Sequence, residues 1–107
     1  MRVKLIDDTL IDVKFRRERV DQTHSVMRSH CRISRVISPD GKGRGNYVVL
    51  SEAFVTRHVN DAPSKAEGFR KALEKALSPV LIRLPLDLRA NRELIWKEFL
   101  KMYGKRL

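Results

Sequence analysis

The stretch "NDAPSKAEGFRKALEKAL", residues 60–77, decides the fold. Ser64 with Glu67 three residues on is the capping-box spacing, in which each side chain satisfies a backbone N–H at a helix start. Ala66, Phe69, Ala72, Leu73, Ala76 and Leu77 then recur at helical spacing, so residues 64–78 read as a helix that lays one apolar stripe on a support. Pro79 is expected to end it. Gly68 stands in the first turn, where glycine costs about 1 kcal/mol relative to alanine. Such a residue suits a helix that must approach something closely, either a sheet beneath it or a ligand beside its N-terminal end, and packing on a sheet is the simpler reading.

Before this helix, residues 1–60 read as a β-meander. Segments 2–6 and 10–17 flank "DDT", a turn-forming triplet, and in the second Ile11, Val13 and Phe15 alternate with Asp12, Lys14 and Arg16. A third strand over 27–33 alternates Met27, Ser29, Cys31 and Ile33 with Arg28, His30 and Arg32. "SPDGKGRGN" marks a hairpin loop, and the fourth strand, 47–59, is apolar enough to suggest a central place in the sheet. Beyond Pro79, "VLIRL" (80–84) reads as a short final strand. Asp87 then caps a second helix over 87–103, with Leu88, Ile95, Trp96, Phe99 and Tyr103 along one stripe. The expected architecture is one α+β domain over 1–107: a mostly antiparallel sheet of four to five strands with two helices packed on one face.

The chain has 23 Lys and Arg against 13 Asp and Glu, a formal charge of +10 over 107 residues. The excess is not confined to a tail: residues 1–60 hold twelve basic against seven acidic side chains, and residues 61–107 eleven against six. A field of that sign concentrates polyanions and speeds their encounter, which points to phosphate-bearing partners. Cys31 is the single cysteine, so no internal disulfide forms, and a buried thiol in a reducing, cytoplasmic setting is expected. No stretch approaches the roughly 20 apolar residues of a membrane span, and "MRVKLIDDTL" lacks the apolar run of a signal peptide.

If the helices cover Ile11, Val13, Phe15 and Ile33, the opposite sheet face exposes Lys4, Lys14, Arg16, Arg28 and Arg32. That basic platform could track a phosphate backbone, with Lys42 and Arg44 of the glycine-rich loop reaching an anion. Stacking of bases would also need aromatic side chains there, and the alternation places none. Arg89 and Arg92 oppose the dipole at the start of the second helix, a conflict that an incoming phosphate would relieve, although a solvated pair serves equally. Trp96 reads as a core or subunit-interface residue. His24, His30 and His58 lack ligand partners at metal spacing, and no Ser, Cys or Lys sits in the context of an activated nucleophile. Neither metal, cofactor nor catalysis is expected.

The segment "AFVTRHVNDAPSKAEGFRKALEKAL" (53–77), with "LRANRELIWKEFLKMY" (88–103) as a closing helix, resembles small phage and prophage proteins, and within that group the anti-Thoeris proteins. The resemblance covers about half the chain. It implies a non-enzymatic cytoplasmic homo-oligomer that holds a cyclic ADP-ribose-type or other anionic nucleotide signal between its subunits and so sequesters it as a counter-defence. In that reading Asn60 and Asp61 contact ribose or base, Arg89 and Arg92 hold phosphates, and Arg70 and Lys75 complete the ligand set. The alternative is a basic phage accessory protein that binds nucleic acid, or a host nucleoprotein complex such as a CRISPR effector, through the sheet face. A purely structural partner-binding role is a third class.

Overall fold

The alternation of Ile11, Val13 and Phe15 with Asp12, Lys14 and Arg16 makes a strand with one apolar side, and strands of this kind must be covered on that side only. The computed structural model describes residues 1–20, 26–38, 46–58, 65–83 and 88–106. Strands β1 (Arg2–Lys4), β2 (Leu10–Arg19), β3 (Val26–Ser38) and β4 (Asn46–His58) precede helices α1 (Lys65–Arg83) and α2 (Leu88–Tyr103), and a 3-10 turn spans Gly104–Arg106. The sheet is antiparallel throughout, in the order β1-β2-β3-β4. The β1–β2 turn closes where Asp8 donates its N–H to Leu5 O at 3.0 Å. Asp8 adopts φ 68° there, a left-handed conformation that Asp tolerates better than most side chains.

Both helices lie on one face, as expected, with α1 over β3 and β4 and α2 beside α1 toward β1. Ile11, Val13, Cys31 and Ile33 from the sheet meet Phe69, Leu73 and Val80 from α1 and Ile95 and Phe99 from α2, all buried. Each such side chain contributes about 1.5–3 kcal/mol relative to exposure. Phe15 joins the three elements: it stacks on Phe69 at 4.9 Å and meets Phe99 and Tyr103 edge-on at 5.7 and 5.8 Å. Asn91 of α2 is fully buried, and its Oδ1 accepts the Ile6 N–H at 3.1 Å, which pins that helix to the β1–β2 turn. Burial also pushes the Cys31 thiol up to about 12, so it is an inert core group.

Three expectations are corrected. Pro79 does not end the first helix, and residues 80–83 are its last turn instead of a strand. Proline removes one hydrogen bond and crowds the carbonyl four residues back, but its ring is on the exposed side while Val80 is fully buried, and a helix tolerates a kink that points to solvent. The most apolar strand is not central: β4 is an edge, and Tyr47, Val48 and Val49 remain substantially exposed. Among the strands, β3 runs on to Ser38, and β1 stops at Lys4. The capping residues Ser64 and Asp87 lie outside the described residues.

Gly68 is explained by its neighbour across the interface. A Cβ built on it would stand 2.4 Å from Ser29 Oγ and 3.3 Å from Ser29 Cβ, and Ser29 is itself buried. The helix therefore rests on β3 at a point where no side chain fits. Gly68→Ala is expected to lower the unfolding free energy by about 1–3 kcal/mol through overpacking, despite the better helix propensity of alanine. In a Ser29→Ala background the loss should shrink, because the nearer atom is gone. Urea denaturation of the four proteins in this cycle measures the coupling, and a Gly68→Ala protein more stable than the parent would refute the packing explanation.

Candidate nucleic-acid interface

The face of the sheet away from the helices is built by cross-strand rows. Arg2 pairs with Asp12 and Asp12 with Ser34; Lys14 pairs with Arg32 and Arg32 with Glu52; Arg16 pairs with His30 and His30 with Phe54; Glu18 pairs with Arg28 and Arg28 with Thr56. All of these side chains share one face, because antiparallel partners directly opposite point the same way. The expected basic residues Lys4, Lys14, Arg16, Arg28 and Arg32 therefore do lie together. Arg2, which the sequence reading passed over, joins them.

Register also brings aromatic rings to this face, against expectation. Phe54 follows from simple alternation with Glu52 and Thr56. Tyr47 arrives through a β-bulge: Ile33 pairs with Ser51 but Ser34 with Val49, so Leu50 is the extra residue. One inserted residue flips every side chain beyond it to the other face. Tyr47 consequently accepts a hydrogen bond from Arg2 Nη2 on its hydroxyl at 2.8 Å and lies 5.7 Å beneath Lys14 Nζ. At the other end His30 stacks on Phe54 with ring centres 4.5 Å apart, and the Arg28 guanidinium sits 4.6 Å from the Phe54 ring centre. Seven residues of β4 separate the two rings, on the order of 20 Å along the strand.

Carboxylates on this face pair with some of the cations and orient them. Glu18 accepts from Arg28 Nε at 2.7 Å and also from its Nη2, and the Arg28 guanidinium holds the Glu18 carboxyl below the usual range. Glu52 accepts from Arg32 Nε at 2.6 Å. The other pairs are longer: Arg16 to Glu18 and Lys14 to Asp12 are each 3.9 Å, and Lys4 to Asp8 is 3.4 Å. Lys14, Arg16, Arg32 and His30 also line a shallow hollow of about 250 Å³ with Phe15. The arrangement offers guanidinium planes, ring faces and long ammonium arms to an extended polyanion.

Of the described residues expected to hold a nucleotide, Arg70 and Lys75 lie on α1, and Arg89 and Arg92 share one face of α2. Arg70 is tied to Glu67 Oε1 at 2.5 Å and lies 3.9 Å from Glu74 on the outside of α1. Lys75 donates to Phe54 O at 3.2 Å, at the outer sheet edge. Arg89 faces Glu93 at 3.5 Å on α2, and Arg92 lines a groove there beside Trp96. Asn60, Asp61, Lys42 and Arg44 lie outside the described residues. Among the described residues no group of His, Cys, Asp or Glu could hold a metal ion, and no helix is long and apolar enough to cross a membrane. No protein-family model matches the chain, and none of the curated proteins or solved structures matches it.

His30, like Asp12, is a titratable group buried in this face. Burial lowers its pKa below the ordinary histidine value and Arg16 and Arg32 add to that, while Glu52, 3.7 Å from Nε2, acts in the opposite sense. The unfolded chain binds a proton at about pH 6.5 that the folded chain refuses. The stability due to neutral His30 is thus complete above that pH and falls as the pH drops through and below it. Unfolding in urea at pH 7 and pH 5 should show a smaller acid-induced loss for His30→Gln than for the parent. An identical loss in both proteins would remove His30 as the responsible group.

Proposed function

We propose that the protein binds single-stranded nucleic acid on the open face of its sheet, by stacking and phosphate contacts and without catalysis. The observation that carries this reading is the presence of Phe54 and Tyr47 on the same face as Arg2, Lys14, Arg16, Arg28 and Arg32. Base stacking on an aromatic side chain is worth about 1–3 kcal/mol per base and tolerates any sequence. Unstacked bases are available in a single strand and not in a duplex, whose edges lie in grooves that a flat sheet does not enter. In this reading one base lies on the Arg28 guanidinium, which together with the stacked His30 flanks the Phe54 ring, and another on Tyr47. The intervening phosphates run past Lys14 and Arg16, whose pairs to Asp12 and Glu18 are long, and past Arg32, whose Nε is held by Glu52.

Fluorescence anisotropy with a labelled single-stranded oligonucleotide tests it. Phe54→Ala should weaken binding by about ten- to a hundredfold, in line with the loss of one stacked base. The pair Lys14→Ala with Arg16→Ala should reduce the slope of log K against log salt by about 0.7 for each phosphate contact removed. Arg89→Ala should change neither quantity. Equal affinity of the parent and Phe54→Ala, or tighter binding to duplex than to single strand, would defeat the proposal.

A further inference from the structure

The hollow on the open sheet face is framed by two pairs of directly opposite residues, Lys14 with Arg32 and Arg16 with His30. Strand spacing and rise set these four positions at the corners of a rectangle of roughly 5 by 7 Å. At about 250 Å³ the space falls below the roughly 300–1,000 Å³ of sites that take a whole small molecule, and it suits a single charged group. Three of the four side chains are cations. Glu52 holds Arg32 through Nε, a bond that does not use the Nη groups, and Lys14 and Arg16 stand 3.9 Å from Asp12 and Glu18, beyond hydrogen-bond reach. His30 differs from them in being buried: it is 5% exposed, and its Nε2 has no hydrogen-bond partner among the described residues. Glu52 Oε2 is 3.7 Å away, too far to accept. A buried polar atom without a partner costs the desolvation of that group, and a binding role is one of the few reasons to keep one.

We propose that this hollow seats one phosphate group, held by Lys14, Arg16 and Arg32, and that its occupation is coupled to protonation of His30. Guanidinium forks offer paired N–H donors to phosphate oxygens, and the ammonium adds a point charge. The coupling follows from what surrounds the imidazole. On β2 the charged groups beside it are Lys14, Arg16 and Glu18, on β3 Arg28 and Arg32, and on β4 Glu52, while the helices lie on the other face of the sheet. Burial foremost, and the charges of Arg16 and Arg32 with it, oppose a proton on the ring, against the pull of Glu52. An anion in the hollow offsets those two guanidinium charges. The ring then takes up a proton, and Nε2–H has Glu52 beside it as acceptor. Binding and protonation favour each other by the same factor, so affinity for the anion rises as the pH falls through the histidine range. In assigning the phosphate to a nucleic-acid strand, the inference rests on the reading of the sheet face given above; the seat itself requires only the phosphate.

The probe is sulfate, a tetrahedral dianion whose charge is constant over the range of about pH 5 to 8 in which histidine titrates. Heteronuclear NMR of the full chain follows the imidazole rings of its three histidines in sulfate and in chloride at equal ionic strength, and His30→Gln identifies the His30 signals. The His30 midpoint is expected about one pH unit higher in sulfate, which corresponds to about tenfold tighter binding of the anion to the protonated ring. The difference should vanish in the protein carrying both Lys14→Ala and Arg16→Ala. These side chains are 70% and 61% exposed, so the fold is retained, which far-ultraviolet circular dichroism verifies. An unchanged His30 midpoint, or an equal change at all three histidines, would overturn the phosphate seat. A single-stranded oligonucleotide is then added in place of sulfate, and the same rise supports a strand phosphate in the hollow. A strand that binds by anisotropy yet leaves the His30 midpoint at its chloride value would overturn that assignment and leave the sheet-face reading standing. A sulfate response in a protein that binds no strand would uphold the seat for a free phosphate group and defeat the sheet-face reading.

Discussion

The contact between Gly68 and Ser29 sets the architecture. Because no Cβ intervenes at that point, the first turn of α1 comes down onto β3, and Phe69, Ala72, Leu73 and Ala76 follow it into burial. That seating brings Phe69 against Phe15, and Phe15 in turn receives Phe99 and Tyr103 of α2. A bulkier residue at 68 would lift the helix from the sheet and loosen the aromatic cluster that links all three elements. A close-packed interior transmits such a displacement instead of absorbing it.

Covering one face leaves the other open, and that face carries rings as well as charge. The open face pairs His30 with Phe54 and Phe54 with Arg28, and it places Tyr47 between Arg2 and Lys14. Edge strands that carry exposed apolar residues invite unwanted pairing, and β4 carries Tyr47, Val48 and Val49. Lys75, which reaches across to the Phe54 carbonyl, occupies one acceptor of that edge. Retaining aromatic side chains at such a position has a cost that binding on the same face would offset.

The elements that local pattern controls were legible in the sequence. Alternation located the strands, the stripe from Ala66 to Leu77 located α1, and the basic residues of the open face followed from the two-residue period. What failed was what depends on tertiary context. The apolarity of β4 arises from an exposed edge with a bulge, and a period-2 count from Phe54 assigns Tyr47 to the wrong face once Leu50 is inserted. Phe54 itself was within reach, since it alternates with Glu52 and Thr56. Pro79 was misread because the sequence does not reveal that its ring faces solvent while Val80 is held in the core.

The most direct test of the account is photocrosslinking of the protein to a single strand containing 5-iodouracil, with the attachment sites located by mass spectrometry. Attachment to Phe54 or Tyr47, lost when unlabelled single strand competes and retained when duplex does, is the expected result. Attachment confined to α2 at Trp96, or yields no higher for single strand than for duplex, would contradict the claim that the open sheet face is the binding surface.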